Sequence, residues 1–167
     1  MIEVVAQLIK DFMALDNDQI YIYNQDFNLN NSGKLQVIIQ YTSSEPYSIT
    51  NKFIPADEGV EGAKEKIVML VKENYTINIV SKGEEARTRK EELLLALITN
   101  QAANIQEQYQ FKLANLPNNF IDISGVEGAG SLNRYAINIS LLTYHSKELD
   151  TAYYDTFDFN NITAESA

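Results

Sequence analysis

The chain contains no cysteine, no tryptophan and a single histidine, His145, among its 167 residues. The lack of cysteine excludes disulfide bonds, thiolate nucleophiles and cysteine zinc sites. A transition-metal site would have to rely on carboxylates, and no dense pattern of such ligands occurs in the sequence. We therefore expect no metal and no cofactor, and a Ser-His-Asp mechanism would depend on His145 alone.

Long apolar runs are also missing. The longest, Leu93 to Ile98, is far shorter than the ~20 residues that span a bilayer. The first ten residues have no basic start, and Glu3, Gln7 and Lys10 interrupt their apolar stretch, which is not the pattern of a signal peptide. The sequence predicts a protein made in the cytoplasm, without a membrane span and without signal-peptide export.

Basic residues are scarce. Only 13 Lys and Arg stand against 23 Asp and Glu, which gives a formal net charge of −10. Such a charge repels phosphate backbones and anionic membranes, so specific nucleic-acid binding is disfavoured. The densest basic cluster, Arg87, Arg89 and Lys90, is flanked by glutamates, which indicates local ion pairs on the exposed side of a helix.

Helical periodicity predicts an amphipathic helix over residues 3–16. Ser81-Lys-Gly-Glu84 matches a capping box, and the apolar positions from Ala86 to Ile98 predict a second helix after it. Residues 102–109 predict a third helix or an extension of the second.

Strand patterns fill most of the remaining chain. Residues 19–23 and 34–42 are predicted neighbouring strands, and residues 111–116 and the alternating residues 136–143 are two more. The connector Lys72-Glu-Asn74 predicts a hairpin between two further strands, residues 65–71 and 75–80. Residues 46–62 contain Pro and Gly without periodicity and predict a long acidic loop, and residues 158–167 a C-terminal tail.

Together these patterns predict an α+β fold with one domain over residues 1–167. Its sheet is mixed and mostly antiparallel, with long hairpins packed against two or three helices. A chain near ~150 residues buries roughly 70% of its unfolded surface, so one core suffices.

The segment from Phe120 to Tyr135 is the most particular part of the sequence. Its glycines follow the order G-x-x-G-x-G, the reverse of the dinucleotide fingerprint, with Glu127 among them and a strand after them, so it is not a phosphate loop. We predict an excursion between strands that makes subunit contacts, in which Arg134 binds Glu127 or Asp122 within or between subunits. The predicted contact residues are Asp122, Gly125, Glu127, Gly128, Asn133, Arg134 and Tyr135.

Ten tyrosines are a second indication of subunit contact, because tyrosine is enriched at protein interfaces. Tyr153, Tyr154, Asp155 and Phe157 lie in an acidic, strand-forming segment, for which we predict an edge-strand contact. The alternative is that many tyrosines lie half-buried on the sheet faces.

The stretch Phe120-Ile-Asp-Ile-Ser-Gly-Val-Glu-Gly-Ala-x-x-Leu-Asn-Arg-Tyr135, with Tyr153-Tyr-Asp-Thr-Phe157 after an alternating strand, resembles the neck or tail-terminator proteins of tailed bacteriophages. The resemblance extends more loosely to the helix from Glu84 and to the strand from Phe111 to Pro117. It therefore covers the C-terminal half of the chain specifically.

The resemblance implies a structural virion protein, not an enzyme, that forms a hexameric ring at the head-proximal end of the tail tube. Such a ring ends tube polymerisation and contacts the tube protein, the head-completion or stopper protein and, in contractile tails, the sheath. The genome passes through its lumen. Six chains at −10 would carry −60, a field that repels DNA.

Two alternatives stay open. One is another neck component, such as a connector or a stopper. The other is a small acidic ligand-binding or catalytic α/β domain, with a cleft near Asp122, Glu127 and His145. Convergence of Asp122, Glu127 and Asp155 would supply its paired carboxylates.

Overall fold

The computed structural model of the chain describes residues 1–22, 33–55, 63–116, 119–127 and 130–151. Helix α1 (Ile2–Phe12) has an apolar stripe that is buried in the core. It is shorter than the predicted 3–16 because the chain leaves the helix at Met13, and Ala14 has a positive φ of 50°. A short 3-10 helix, Asn17–Gln19, leads into the sheet.

Helix α2 (Glu85–Ile98) begins three residues later than the predicted capping box requires, because Ser81 is the last residue of β3 and Glu84 is the N-cap. The Ser81 hydroxyl accepts a hydrogen bond of 2.9 Å from the Ala86 backbone N–H, whereas the Glu84 side chain makes no cap bond. Helix α3 (Asn100–Gln108) is separate from α2, because Thr99 is extended and its hydroxyl caps α3 by accepting from the Ala102 N–H.

The strands in the described part of the chain form a mostly antiparallel sheet in the order β1-β2-β3-β7-β4. Strands β5 and β6 also pair with β7, and only the β1–β2 pair among these is parallel. The bounds are β1 Ile20–Ile22, β2 Gln36–Pro55, β3 Ala63–Ser81, β4 Phe111–Ala114, β5 Ile121–Asp122, β6 Gly125–Glu127 and β7 Gly130–Thr151. The predicted α+β class with long strands and three helices is confirmed.

The hairpin predicted around Lys72-Glu-Asn74 is wrong, because β3 runs without interruption from Ala63 to Ser81. The polar connector residues are tolerated because they have partners on the neighbouring strands. The Lys72 ammonium lies 3.0 Å from a Glu45 carboxylate oxygen, and the Asn74 amide accepts a hydrogen bond of 2.7 Å from Ser140.

The loop predicted over residues 46–62 is wrong for residues 46–55, which belong to β2; residues 56–62 lie outside the described residues. Pro46 fits the strand because β2 has no pairing on its outer side at this level among the described residues. Prolines are tolerated on edge strands and near bulges. The β2–β3 register shifts twice, between Tyr41 and Ser43 and between Pro46 and Ser48.

The core lies between the helices and one face of the sheet. Alternate residues of the central strands, such as Ile39, Ile77 and Ile137, face Leu93 of α2 and Ile9 of α1 in a single buried cluster. The sheet members of this cluster end at Tyr75 in β3 and at Leu141 in β7, although both strands continue well beyond that level. The helices therefore cover only part of the sheet.

Candidate assembly surface

The three long strands continue past the core as a three-stranded ribbon. We call it the arm and define it as residues 48–55 of β2, 63–70 of β3 and 144–151 of β7. These ranges are in register, since Ser48 pairs with Leu70 and Leu70 with Tyr144 at one end. Eight residues per strand correspond to a length of about 26 Å.

No side chain described in the arm is buried. By the alternation of β3 and its register, Ile67 and Met69 lie on the same sheet face as the core residue Tyr75. Ile49 and Phe53 of β2 share that face and are 66% and 72% exposed. An exposed apolar surface of this kind is typical of a protein contact site.

Both edges of the arm are unpaired in the described part of the chain. Strand β1 pairs with β2 only at residues 37–39, and β4 pairs with β7 only at residues 140–143. Unpaired edges present rows of backbone N–H and C=O groups to which a further strand can bind.

The predicted contact segment begins with a tight turn between β5 and β6. The Asp122 carboxylate accepts a hydrogen bond of 2.9 Å from the Ser124 backbone N–H. Hydrogen bonding from Ser124, first through its side chain and then through its backbone, lowers the pKa of Asp122 below the ordinary 3.8. Asp122 therefore stabilises its own turn and stays ionised at neutral pH.

Arg134 lies on β7, where its Nε donates a hydrogen bond of 3.2 Å to the buried Asn78 amide oxygen. Among the described side chains it has no carboxylate partner, so the predicted pairing with Asp122 does not occur within the chain. The Asn133 amide donates to the Gly83 carbonyl at 2.9 Å. The Tyr135 ring is buried, and the Lys90 ammonium lies 5.1 Å from its centroid. All three residues thus make contacts inside the chain.

Gly125 starts β6 and pairs with Leu132, while Glu127 pairs with Gly130. Gly125 does not have the positive φ that would require glycine, and a Cβ added there would meet no atom within 4 Å. The predicted contacts Gly128, Tyr153, Tyr154, Asp155 and Phe157 lie outside the described residues, as does the predicted tail over 158–167.

His145 does not join the other candidate residues of a catalytic cleft. Its position beside Ser146 and Lys147 in the sequence predicts a strand-to-turn boundary, but His145 lies inside β7 and pairs with Met69 in the arm. Asp122 pairs with Tyr135, and ten residues of one continuous strand separate Tyr135 from His145 by roughly 33 Å. The structure therefore does not bring Asp122 and His145 into one site.

The basic cluster of α2 is only partly on the exposed side. Arg89 is half-buried. Its Nη2 donates a hydrogen bond of 2.7 Å to the Glu92 carboxylate and one of 2.6 Å to the Met13 carbonyl, and the second bond connects α2 to the end of α1. The hydrogen bond with Glu92 raises the pKa of Arg89. Arg87 lies 3.8 Å from Glu84, as the prediction of local ion pairs requires.

An open groove of about 420 Å³ lies between α1 and α3, with Glu3 and Asp11 on its rim. None of the predicted contact residues lines it. Within the described ranges, no group of three or more His, Asp or Glu side chains is arranged to hold a metal ion. The described helices include none that is long and apolar enough to cross a membrane.

The arm is the surface that the sequence reading missed. Its signal is present in Ser48-Ile-Thr-Asn-Lys-Phe-Ile54, where apolar Ile49 and Phe53 alternate with polar residues at the period of a strand. Pro46, Pro55 and the acidic residues after Pro55 are typical of a loop, and for this reason the alternation did not lead to a predicted strand.

We compared the chain with models of known protein families and with curated protein sequences, and neither comparison gives a match.

Proposed function

We propose that this chain is a structural assembly protein that forms a closed ring, and that the ring acts as the tail terminator of a tailed bacteriophage or a tail-like particle. The single observation that supports assembly is the arm. Three strands leave the core together, both of their outer edges lack a paired strand among the described residues, and Ile49 and Phe53 are largely exposed.

A ribbon of this kind is expected to associate. Exposed apolar faces and open strand edges favour association with another chain, and the described helices do not reach the arm's face. Association between copies would cover the apolar side chains and pair the edges, which is how closed β-structures remove exposed edges.

The role at the end of a tail rests on the resemblance of residues 120–135 and 153–157. In that role the ring binds the tail tube protein on one side and the head-completion or stopper protein on the other. In a contractile tail it also contacts the sheath. It belongs to the virion neck, has no enzymatic activity, and the genome passes through its lumen.

Native mass spectrometry and negative-stain electron microscopy of the purified chain test the ring. We expect a discrete hexamer with a central hole, and a compact monomer at all concentrations would refute the proposal. Mixing the ring with the tail tube protein of the same particle tests the terminator role. A terminator binds one end of each tube and limits its length, whereas a connector or stopper leaves tube length unchanged.

Arg134 is a poor probe of this assembly. Arg134→Ala removes the hydrogen bond to the buried Asn78 oxygen as well as any contact between subunits, so a loss of rings would not separate folding from assembly. Substitutions on the exposed arm avoid this ambiguity.

A further inference from the structure

The two edges of the arm, which have no paired strand among the described residues, lie at the same level. The row that starts at Ser48 ends at Tyr144, and the row that starts at Ile54 ends at Asp150, with β3 between them in both rows. A second arm placed beside the first, at the same height, would therefore align residues 48–54 with residues 144–150.

Strand direction decides which contacts between copies use both edges. Strands β2 and β7 are each antiparallel to β3, so they run in the same direction. Copies related by rotation about an axis along the arm would place β7 of one beside β2 of the next, in parallel. A two-fold dimer would instead pair β2 with β2 or β7 with β7 and leave one edge of each copy open. The head-to-tail arrangement uses both edges of every copy through a single kind of contact, and it closes into a ring when the rotation allows.

The charges along one row of the arm favour the head-to-tail arrangement. Lys52, Lys66 and Glu148 lie in one row on the same face. The Lys66 ammonium lies 3.2 Å from the Glu148 carboxylate, whereas Lys52 is opposite Lys66, an unfavourable pair of like charges. Within the described part of the chain, Lys52 has no carboxylate partner.

Continuing the sheet at the same level places Glu148 of one copy beside Lys52 of the next. On the other face it places Leu149, 36% exposed, beside Phe53, 72% exposed. Opposite charges and apolar side chains on directly neighbouring strands both stabilise a sheet.

We propose that copies of this chain join through their arms by parallel strand addition, with residues 144–150 of one copy paired with residues 48–54 of the next. The register brings Lys52 next to Glu148 and Phe53 next to Leu149. The closure of this contact into a ring rests on the proposed function, while the contact itself is defined by the arm alone.

The backbone of β7 is oriented to make this pairing. At Arg134, the N–H donates to the Ser124 hydroxyl and the C=O accepts from the Ile123 N–H, so both groups point away from β3. Backbone groups of alternate strand residues point to the same side. The β3–β7 register has no shift from Asn133 to Thr151, so Ser146 and Glu148 also direct their N–H and C=O groups to the open edge.

Lys52→Glu tests the charge pairing, because its effects on folding and on assembly have opposite signs. Inside the chain, a glutamate opposite Lys66 removes a repulsion, so resistance to urea stays the same or increases. Between copies it faces Glu148, and we expect the dissociation constant from sedimentation velocity to rise about tenfold or more. Lys112→Glu is the matched control, with the same change of charge on an exposed residue of β4 outside the arm.

The double variant Lys52→Glu with Glu148→Lys exchanges the two charges, and we expect it to restore association to near the original level. Loss of association without this rescue would overturn the proposed register.

Ser146→Pro tests the backbone pairing. Proline removes an N–H that points to the open edge and leaves the ladder with β3 intact, so we expect a folded chain by circular dichroism that no longer associates. Ser146→Ala keeps the N–H and should associate normally. Rings that form equally well in Lys52→Glu and in Ser146→Pro would overturn the strand addition but leave the ring function standing. A chain that never associates would overturn both.

Discussion

Replacing Gln36 with methionine should make the protein more stable. Among the described residues, Gln36 is the buried side chain whose amide nitrogen and oxygen both have no hydrogen-bond partner, and it is only 2% exposed. Leaving a buried polar group unpaired costs about 1–3 kcal/mol. Methionine keeps the unbranched shape and removes both polar atoms, so we expect a gain of about 1–2 kcal/mol. For a chain of this size, that gain raises Tm by roughly 2–8 °C.

The matched control is Asn78→Leu on the neighbouring strand. Asn78 is 1% exposed, donates to the Gln40 amide oxygen at 3.2 Å and accepts from Arg134 Nε at 3.2 Å. Its replacement leaves two polar groups without a partner and should lower stability by about 1–3 kcal/mol. Urea unfolding followed by far-UV circular dichroism, at protein concentrations too low for association, measures both variants. A neutral or destabilising Gln36→Met, or the same sign for both substitutions, would refute the reasoning.

Four further predictions concern the body of the fold. Leu93→Ala removes a side chain that is 0% exposed in the core and should lower the free energy of unfolding by about 2–5 kcal/mol, as measured by urea denaturation. Ser81→Ala removes the hydroxyl that caps α2 at the Ala86 N–H and should cost about 1–2 kcal/mol in the same assay, with restoration by threonine expected to be partial. Gly125→Ala should change the Tm by less than about 2 °C, because its φ suits any residue and no atom lies within 4 Å; a large loss would show that the glycine is needed. Since the folded-state pKa of Asp122 is lowered, its carboxylate stabilises the turn above the ordinary value of 3.8 and loses this effect as the pH falls below it. A protection factor of the Ser124 amide against hydrogen exchange that falls as the pH drops below 3.8 would show this, and Asp122→Ala should abolish the pH dependence of that protection factor.

Local periodicity was sufficient to predict a helix or a strand wherever one face of that element is buried in the core. Helix α1 is identified by its apolar stripe, and α2 by Ser81 and the apolar residues after it, because the core that they cover imposes a regular pattern. The alternation in residues 136–143 likewise identifies the part of β7 that lies over the core.

The arm was not predicted from periodicity because neither of its faces is buried by the described part of the chain. The part of β3 between the arm and the core was also missed, because polar residues such as Lys72 and Asn74 resemble a turn when read alone. Only the strands on both sides of β3 show that they belong to a ladder. Pro46 resembles a loop residue, yet its place on an edge strand with bulges accommodates it.

The structural setting of the candidate contact residues was predicted only in part. Residues 120–135 were predicted as an excursion between strands, whereas Ile121–Asp122 and Gly125–Glu127 form β5 and β6, and residues 130–135 already belong to β7. The internal partners of Arg134, Asn133 and Tyr135 come from β3, the turn before α2 and α2 itself. Contacts between residues far apart in the chain depend on strand order and register, which no local pattern encodes.

The sequence by itself determined the class of the fold, the acidic charge, and the absence of cysteine chemistry, because these follow from composition and from period alone. Only the tertiary structure decided that three strands leave the core together, that their outer edges are open at the same level in the described part of the chain, and that Lys52 and Glu148 lie at opposite ends of one row. Strand pairing is a property of neighbours in space, so the surface that we propose for assembly became visible only when the sheet was complete.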